Sequence, residues 1–328
     1  LGDPASNQYS PLTQITRTNV DRLEEAWRYD SGESAYLGTL IPTNPLIVKG
    51  VLYGLSARKN LFALNAATGE ELWVHTFDKP YEGKGSGRGV VYWEGALPNG
   101  KRVTWILVGL KNELFAIDAV TGESATAFGT DGVVDLRVGL DRPTKGLSVN
   151  VIAPGNLYGD LLIQGFGTSE LYDAAPGYIR AYHLPSGALR WTFRTIPLPG
   201  EPGGDTWPIV GRDELGGANN WAGMTIDQER GMVFVPTGSA AYDFYGANRK
   251  GDNLYANSLV ALDANTGERL WHYQFVRHDL WDRDLPTPPN LITIERDGEL
   301  IPAVSQATKS GHLFIFHRET GEPLFDIE

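Results

Sequence analysis

One unit recurs five times along the chain: LFALNAATGEELWVH (61–75), LFAIDAVTGESATAF (114–128), IRAYHLPSGALRWTF (179–193), LVALDANTGERLWHY (259–273) and LFIFHRETGEPLFDI (313–327). Each copy reads as an apolar strand, a polar turn ending in glycine, and a second strand. The turn glycines Gly69, Gly122, Gly187, Gly267 and Gly321 suit a backbone with positive φ, where a side chain would clash. Four residues after the glycine stands an aromatic in four copies, Trp73, Trp191, Trp271 and Phe325; the second copy has Thr126 there, with Phe128 close by. The segment LEEAWRYDSGE, with Trp27, resembles the last strand of a further copy. The glycines are 53, 65, 80 and 54 residues apart. That spacing holds one hairpin plus two more strands and loops of variable length. Four-stranded sheets at such intervals are the blades of a β-propeller. The expectation is an all-β chain of about five antiparallel blades plus a leading strand, forming one domain over residues 1–328. The repeated rings should pack between neighbouring sheets. A helical solenoid is excluded, because the repeats carry tight glycine turns and period-two strands rather than 3.6-residue stripes.

Composition removes several classes of function. The 328 residues are 41% hydrophobic and 21% charged, enough for a large core. The net charge is −12 with no basic run, so nucleic acid is not an expected partner. No apolar stretch approaches the roughly 20 residues of a membrane span. The absence of cysteine rules out disulfides, thiolate zinc sites and cysteine nucleophiles. The six histidines form no His-Glu-x-x-His pattern. The glycine-rich GKGSGRG (83–89) lacks the Lys-Ser/Thr ending of a phosphate loop and runs into the strand-like VVYW.

HDLWDRDLP (278–286) places Asp279, Asp282 and Asp284 around Trp281, just after a strand. Three carboxylates there form either a solvated turn or a metal or catalytic site.

The order of the interblade motifs resembles the pyrroloquinoline quinone (PQQ)-dependent dehydrogenases, in their glucose-dehydrogenase-like branch. The likeness rests on NQYSPLTQITRTNVDRLEEAWRY, RGVVYWEG, NNWAGMTID, VPTGSAAYDFYGANRKGDNLYANSLVALDANTGERLWHY, HDLWDRDLPTPPNL and QATKSGHLFIF. It implies an eight-bladed propeller with PQQ near its axis over a divalent cation. About five blades are found here, so the expectation is an incomplete propeller whose remaining C-terminal blades come from the parent chain or another chain.

By the same resemblance Asp282 matches the catalytic aspartate, the base for a substrate hydroxyl proton, and also a metal ligand. Glu170 matches a metal ligand, and Ser239 stands where the family has an asparagine ligand. Trp221 matches the ring stacked under PQQ; Arg88 matches an arginine near its carboxylates, and Lys309 a lysine near the quinone oxygens. Arg58 replaces the branch's histidine and either meets the quinone or faces solvent. Methanol-type members carry adjacent cysteines before the Arg-Gly motif, and this chain has none. Asp284 sits at the offset where lanthanide-using relatives carry an extra ligand; glucose-dehydrogenase-like members also carry an aspartate there and are taken to use calcium or magnesium, so the resemblance implies calcium rather than a lanthanide or magnesium, with Asp284 expected to pair with Arg283 or Arg249. Asp282, Glu170, Trp221, Arg88 and Lys309 should converge near the axis. The implied function is oxidation of a sugar or alcohol in the periplasm, with electrons passed to ubiquinone or a cytochrome. The alternatives are a non-enzymatic propeller that binds proteins, like the outer-membrane assembly lipoproteins sharing this repeat, or an inactive fragment.

Overall fold

The computed structural model describes residues 3–7, 9–33, 43–79, 81, 87–172 and 174–327. Most of the glycine-rich 83–89 segment therefore lies outside the described residues. Strands β1 Leu46–Val48, β2 Val51–Leu55, β3 Leu61–Asn65 and β4 Glu71–His75 form the first sheet. The second is β5 Val91–Ala96, β6 Arg102–Leu110, β7 Glu113–Asp118 and β8 Val133–Asp135. A small pair follows, β9 Val149–Asn150 with β12 Gly167–Thr168. It flanks the third sheet, made of β10 Asn156–Tyr158, β11 Leu161–Gln164, β13 Ile179–His183 and β14 Leu189–Phe193. The fourth sheet is β15 Thr225–Asp227, β16 Met232–Pro236, β17 Ser258–Asp263 and β18 Arg269–Gln274. The fifth has three strands, β19 Asn290–Arg296, β20 Glu299–Ala307 and β21 Leu313–His317. Pairing within every sheet is antiparallel, and the only helical elements among the described residues are three short 3-10 turns.

The repeated turn explains the motif. Asn65, Asp118 and Asp263 each accept the N–H groups two and three residues on, between 2.8 and 3.2 Å. The glycine, at φ 69 to 74°, closes the turn by donating to the carbonyl four residues back. The same glycine receives the tryptophan of the preceding unit. A Cβ added to Gly69, Gly122, Gly267 or Gly321 would lie 2.5 to 2.8 Å from Trp27, Trp73, Trp191 or Trp271. Each indole N–H donates to a carbonyl of that turn, on Ala66, Ala119, Ala264 or Arg318, at 3.0 to 3.3 Å. Trp27 thus plays the outer-strand role expected of it, although its segment is extended chain rather than a paired strand.

The junction of the second and third sheets lacks this dock, as Thr126 implies. Gly187 backs onto Gly129, whose N–H donates to Ser186 O at 3.0 Å. The fully buried Arg180 spans the junction, donating to Leu136 O and, at 2.7 Å, to Val138 O, with its guanidinium over Phe166.

Alternation along the strands feeds two cores at once. Met232 and Phe234 of β16 enter one core with Leu291, Val304 and Phe316; Val233 and Val235 enter another with Ile163, Ile179 and Trp191. Strands buried on both faces read as unbroken apolar runs for this reason. The first strands of the first four sheets (Leu46, Val48, Val91, Tyr92, Asn156, Leu157, Ile226) line one open groove of about 370 Å³. Near it, Pro4 O and Ala5 O accept the N–H groups of Ile226 and Leu291 at 2.9 and 3.1 Å.

Candidate active site

In an antiparallel blade the loop entering the first strand and the loop leaving the second lie at the same end. Arg88 precedes β5 and Trp221 precedes β15; Asp282 and Asp284 lie between β18 and β19; Ser239 follows β16 and Lys309 follows β20. Glu170 lies just beyond β12. This common end carries a cavity of about 330 Å³ lined by Thr168, Ser169, Glu170, Asn219, Trp221, Ser239, Asp243, Asp284 and Lys309. Asp282 joins it through Lys309, whose ammonium lies 2.8 Å from Asp282 Oδ1 and 3.4 Å from Asp284 Oδ2. The guanidinium of Arg88 stands 5.6 Å from the centroid of the Trp221 ring. Arg58 is on an exposed turn whose backbone N–H donates to Glu33 at 2.7 Å, and it does not line this cavity.

The three aspartates of the 278–286 loop divide the work. Asp279, buried, accepts from the backbone of Trp281 (3.0 Å) and Arg283 (2.6 Å), from Ser239 Oγ (2.6 Å) and from Asn257 Nδ2 (2.9 Å). It holds the loop in shape. Asp284 accepts from Ser239 N–H (2.5 Å) and Trp221 Nε1–H (2.8 Å). The expected pairing of Asp284 with Arg283 or Arg249 is therefore corrected: its partners are Ser239, Trp221 and Lys309. Arg249 turns instead to Asn253, Tyr242 and Asp279 through hydrogen bonds to oxygen. Asp282 presents its carboxylate to Lys309 from a left-handed backbone, φ 53°, an uncommon conformation that aspartate tolerates.

Carboxylates dominate the field. Burial raises the Asp282 carboxyl above its usual range; the Lys309 hydrogen bond opposes this and the charge of Asp284 adds to it. Burial works to lower Lys309, yet its two carboxylate partners leave it raised. Asp243, 6% exposed, is pushed up to about 7 by burial and by the charges of Asp284, Asp282 and Glu170, with Arg249 opposing. Asp243, Asn219 and Asn257 were not singled out from sequence, where each looks like any loop residue; their roles come from neighbours distant in the chain.

The residue chemistry fits the implied groups. An indole plane, a guanidinium, an ammonium and the hydroxyls of Thr168 and Ser169 suit a flat polycarboxylate such as PQQ. Oxygen donors around a buried, unpartnered carboxyl suit a hard cation, although among the described residues no three acidic or histidine side chains already stand together as a metal cluster.

Comparison with known proteins agrees with this architecture. The chain is 32% identical to the quinate/shikimate dehydrogenase (quinone) of Acinetobacter baylyi over 99% of its own length and 43% of that protein. It is equally identical to the glycerol dehydrogenase large subunit of Gluconobacter oxydans, covering 99% of the chain and 45% of that protein. The crystal structure of quinohemoprotein alcohol dehydrogenase from Comamonas testosteroni superposes with a TM-score of 0.82 at 26% identity, over 98% of this chain and 47% of that one. The chain thus spans less than half the length of the relatives it matches. The family described as "PQQ: Glucose/ethanol/alcohol dehydrogenase, beta-propeller domain" matches residues 1–328, and the chain belongs to that family of PQQ-dependent dehydrogenases.

Proposed function

We propose that the chain carries the cofactor-facing and substrate-facing part of a PQQ-dependent dehydrogenase that oxidises a sugar or alcohol hydroxyl. The observation that carries this reading is the meeting of Asp282, Asp284, Lys309, Trp221 and Glu170 at one end of the blades, although they are spread over 140 residues of sequence. PQQ, when bound, supplies the acceptor for the hydride leaving the carbinol carbon. Trp221 offers it an aromatic face; Arg88 and Lys309 offer cations to its carboxylates and oxygens. Asp282 takes the hydroxyl proton on its carboxylate. Its burial and the neighbouring charges bring its basicity nearer to working pH than that of a solvated aspartate. Lys309 holds that carboxylate in place, and Asp284 is in turn fixed by Trp221 and Ser239. Glu170 and Asp282 are the proposed cation ligands, with calcium the proposed ion. Both oxygens of Asp284 already accept hydrogen bonds, which argues against an added lanthanide ligand there. A periplasmic location and electron transfer to ubiquinone or a cytochrome belong to the same reading.

The test is reconstitution of the full-length protein with PQQ and calcium, followed by dye reduction with a panel of alcohols, polyols and aldoses. Substrate-dependent, PQQ-dependent turnover is expected. A protein that binds no PQQ, judged by unchanged tryptophan fluorescence and by absorbance after gel filtration, would sink the proposal.

A further inference from the structure

Ser239 occupies the place of an amide ligand, but its hydroxyl is already committed. Ser239 Oγ donates to Asp279 Oδ2 at 2.6 Å and accepts from Asn257 Nδ2 at 3.0 Å, inside a network where Asp279 and Asn257 are buried. Only one lone pair of that oxygen is left, and drawing it onto an ion would pull against the hydrogen bonds that fasten the 278–286 loop. Four residues on, Asp243 is in the opposite condition. Its side chain is 6% exposed, lines the same cavity as Glu170, and makes no hydrogen bond among the described residues. The guanidinium that opposes its charge, Arg249, donates to Asn253 Oδ1 (2.8 Å), Tyr242 O (3.3 Å) and Asp279 O, and none of these hydrogen bonds goes to Asp243. A largely buried carboxylate that accepts no hydrogen bond is costly, and here three neighbouring carboxylates face one guanidinium; buried charges are ordinarily paired or bound to metals. The same cavity holds the amide of Asn219, whose Nδ2 donates to Phe166 O at 3.3 Å. A Cβ on Gly238 would lie 3.4 Å from Asn219 Oδ1 and 2.8 Å from Asp284 Oδ1, so that amide oxygen is turned towards the acidic wall.

We propose that Asp243, not Ser239, is the cation ligand of this chain on that wall, with Ser239 serving to position Asp279. This rests on the reading of the protein as a PQQ dehydrogenase that holds a divalent cation. It replaces a neutral ligand by a charged one. Hard divalent cations favour added anionic oxygen.

The experiment uses full-length protein stripped with chelator, and calcium chloride as the probe. Calcium affinity is measured by titration calorimetry in the presence of PQQ, and thermal melting with and without calcium. Asp243→Asn is expected to weaken calcium binding at least about tenfold, while Ser239→Ala stays within about threefold of wild type and melts lower because the loop fastening is lost. In chelator, Asp243→Asn is expected to melt at or above wild type, since an unpaired buried charge has been removed. Calcium binding by Asp243→Asn equal to wild type overturns the assignment, as does an equal loss in Ser239→Ala. An Asp243→Asn protein that melts below wild type in chelator, or fails to fold, gives Asp243 a structural part and overturns it too. Wild type that binds PQQ but no calcium removes the cation site and this proposal together, and leaves the cofactor reading standing.

Discussion

Asp282 and Asp279 are three residues apart and have opposite duties, which the local sequence could not separate. Asp279 accepts from four donors; among the described residues Asp282 accepts from Lys309 alone. Asp282→Asn should therefore lower turnover by about 10² to 10⁴-fold and leave the circular dichroism spectrum and melting temperature near wild type. Turnover within a few-fold of wild type would remove Asp282 from proton transfer. Asp279→Asn should do the reverse, lowering stability in the absence of any substrate. A second residue gives a pH dependence away from the site. His272 on β18 is lowered from the usual histidine range by burial and by Arg269, and packs edge-on against Tyr255 at 5.1 Å. A histidine lowered on folding contributes stability that is complete above its unfolded pKa and is lost as pH falls through its folded pKa. Wild type should thus lose stability below about pH 6.5 more steeply than His272→Gln, as read from melts between pH 7.5 and 5. Parallel curves would place the acid sensitivity elsewhere. What the sequence marked at this scale was side chains with distinctive chemistry, such as Trp221 and Lys309. Asp243 was hidden because its character comes from Glu170 and Asp284, 73 and 41 residues away.

At the scale of the blade, the glycine and the tryptophan are one device read from two places. The motif is legible because the turn is local: the Asx contact, the positive φ and the glycine all fall within a few residues. Its partner tryptophan is 42 to 76 residues upstream, yet legible too, because it repeats with the same frame. The glycine carries two constraints, and they can be separated. Gly298 has φ 82° with open space around it, whereas Gly267 has φ 73° and Trp191 where a Cβ would lie. Gly298→Ala should cost about 1–2 kcal/mol for backbone strain alone; Gly267→Ala should cost about 1–3 kcal/mol more for the clash, measured by denaturant unfolding. Equal losses would mean that the indole simply moves aside. The junction without tryptophan shows where this reading runs out. Thr126 announced a missing ring, but nothing near it announced Arg180 as the substitute. Burying a guanidinium across two sheets depends on the carbonyls of Leu136 and Val138, and main-chain carbonyls carry no sequence signal.

Over the whole molecule, five sheets share four cores, so each inner sheet is buried on both faces. The sheets at either end of the array keep apolar side chains in the open: Ile47, Leu72 and Val74 on the first, Leu300 and Leu313 on the fifth. Phe325 of the fifth repeat is likewise 54% exposed. The repeat count was legible because every unit has its own turn; the arrangement of the first residues was not. Pro4 and Ala5 accept the amides of Ile226 and Leu291, Thr225 Oγ1 donates to Ser6 Oγ at 2.8 Å, and Asn290 Nδ2 donates to Ser6 O. Removing residues 1–7 should leave the amides of β2 and β3 protected in hydrogen exchange while those of Ile226 and Leu291 exchange faster; unchanged rates at both would show that the segment adds nothing. The ribosome delivers Ser6 hundreds of residues before the groups that hold it. The seam between the fourth and fifth sheets is thus completed by a segment made long before it, which has to stay free of other partners until residue 291 has been made.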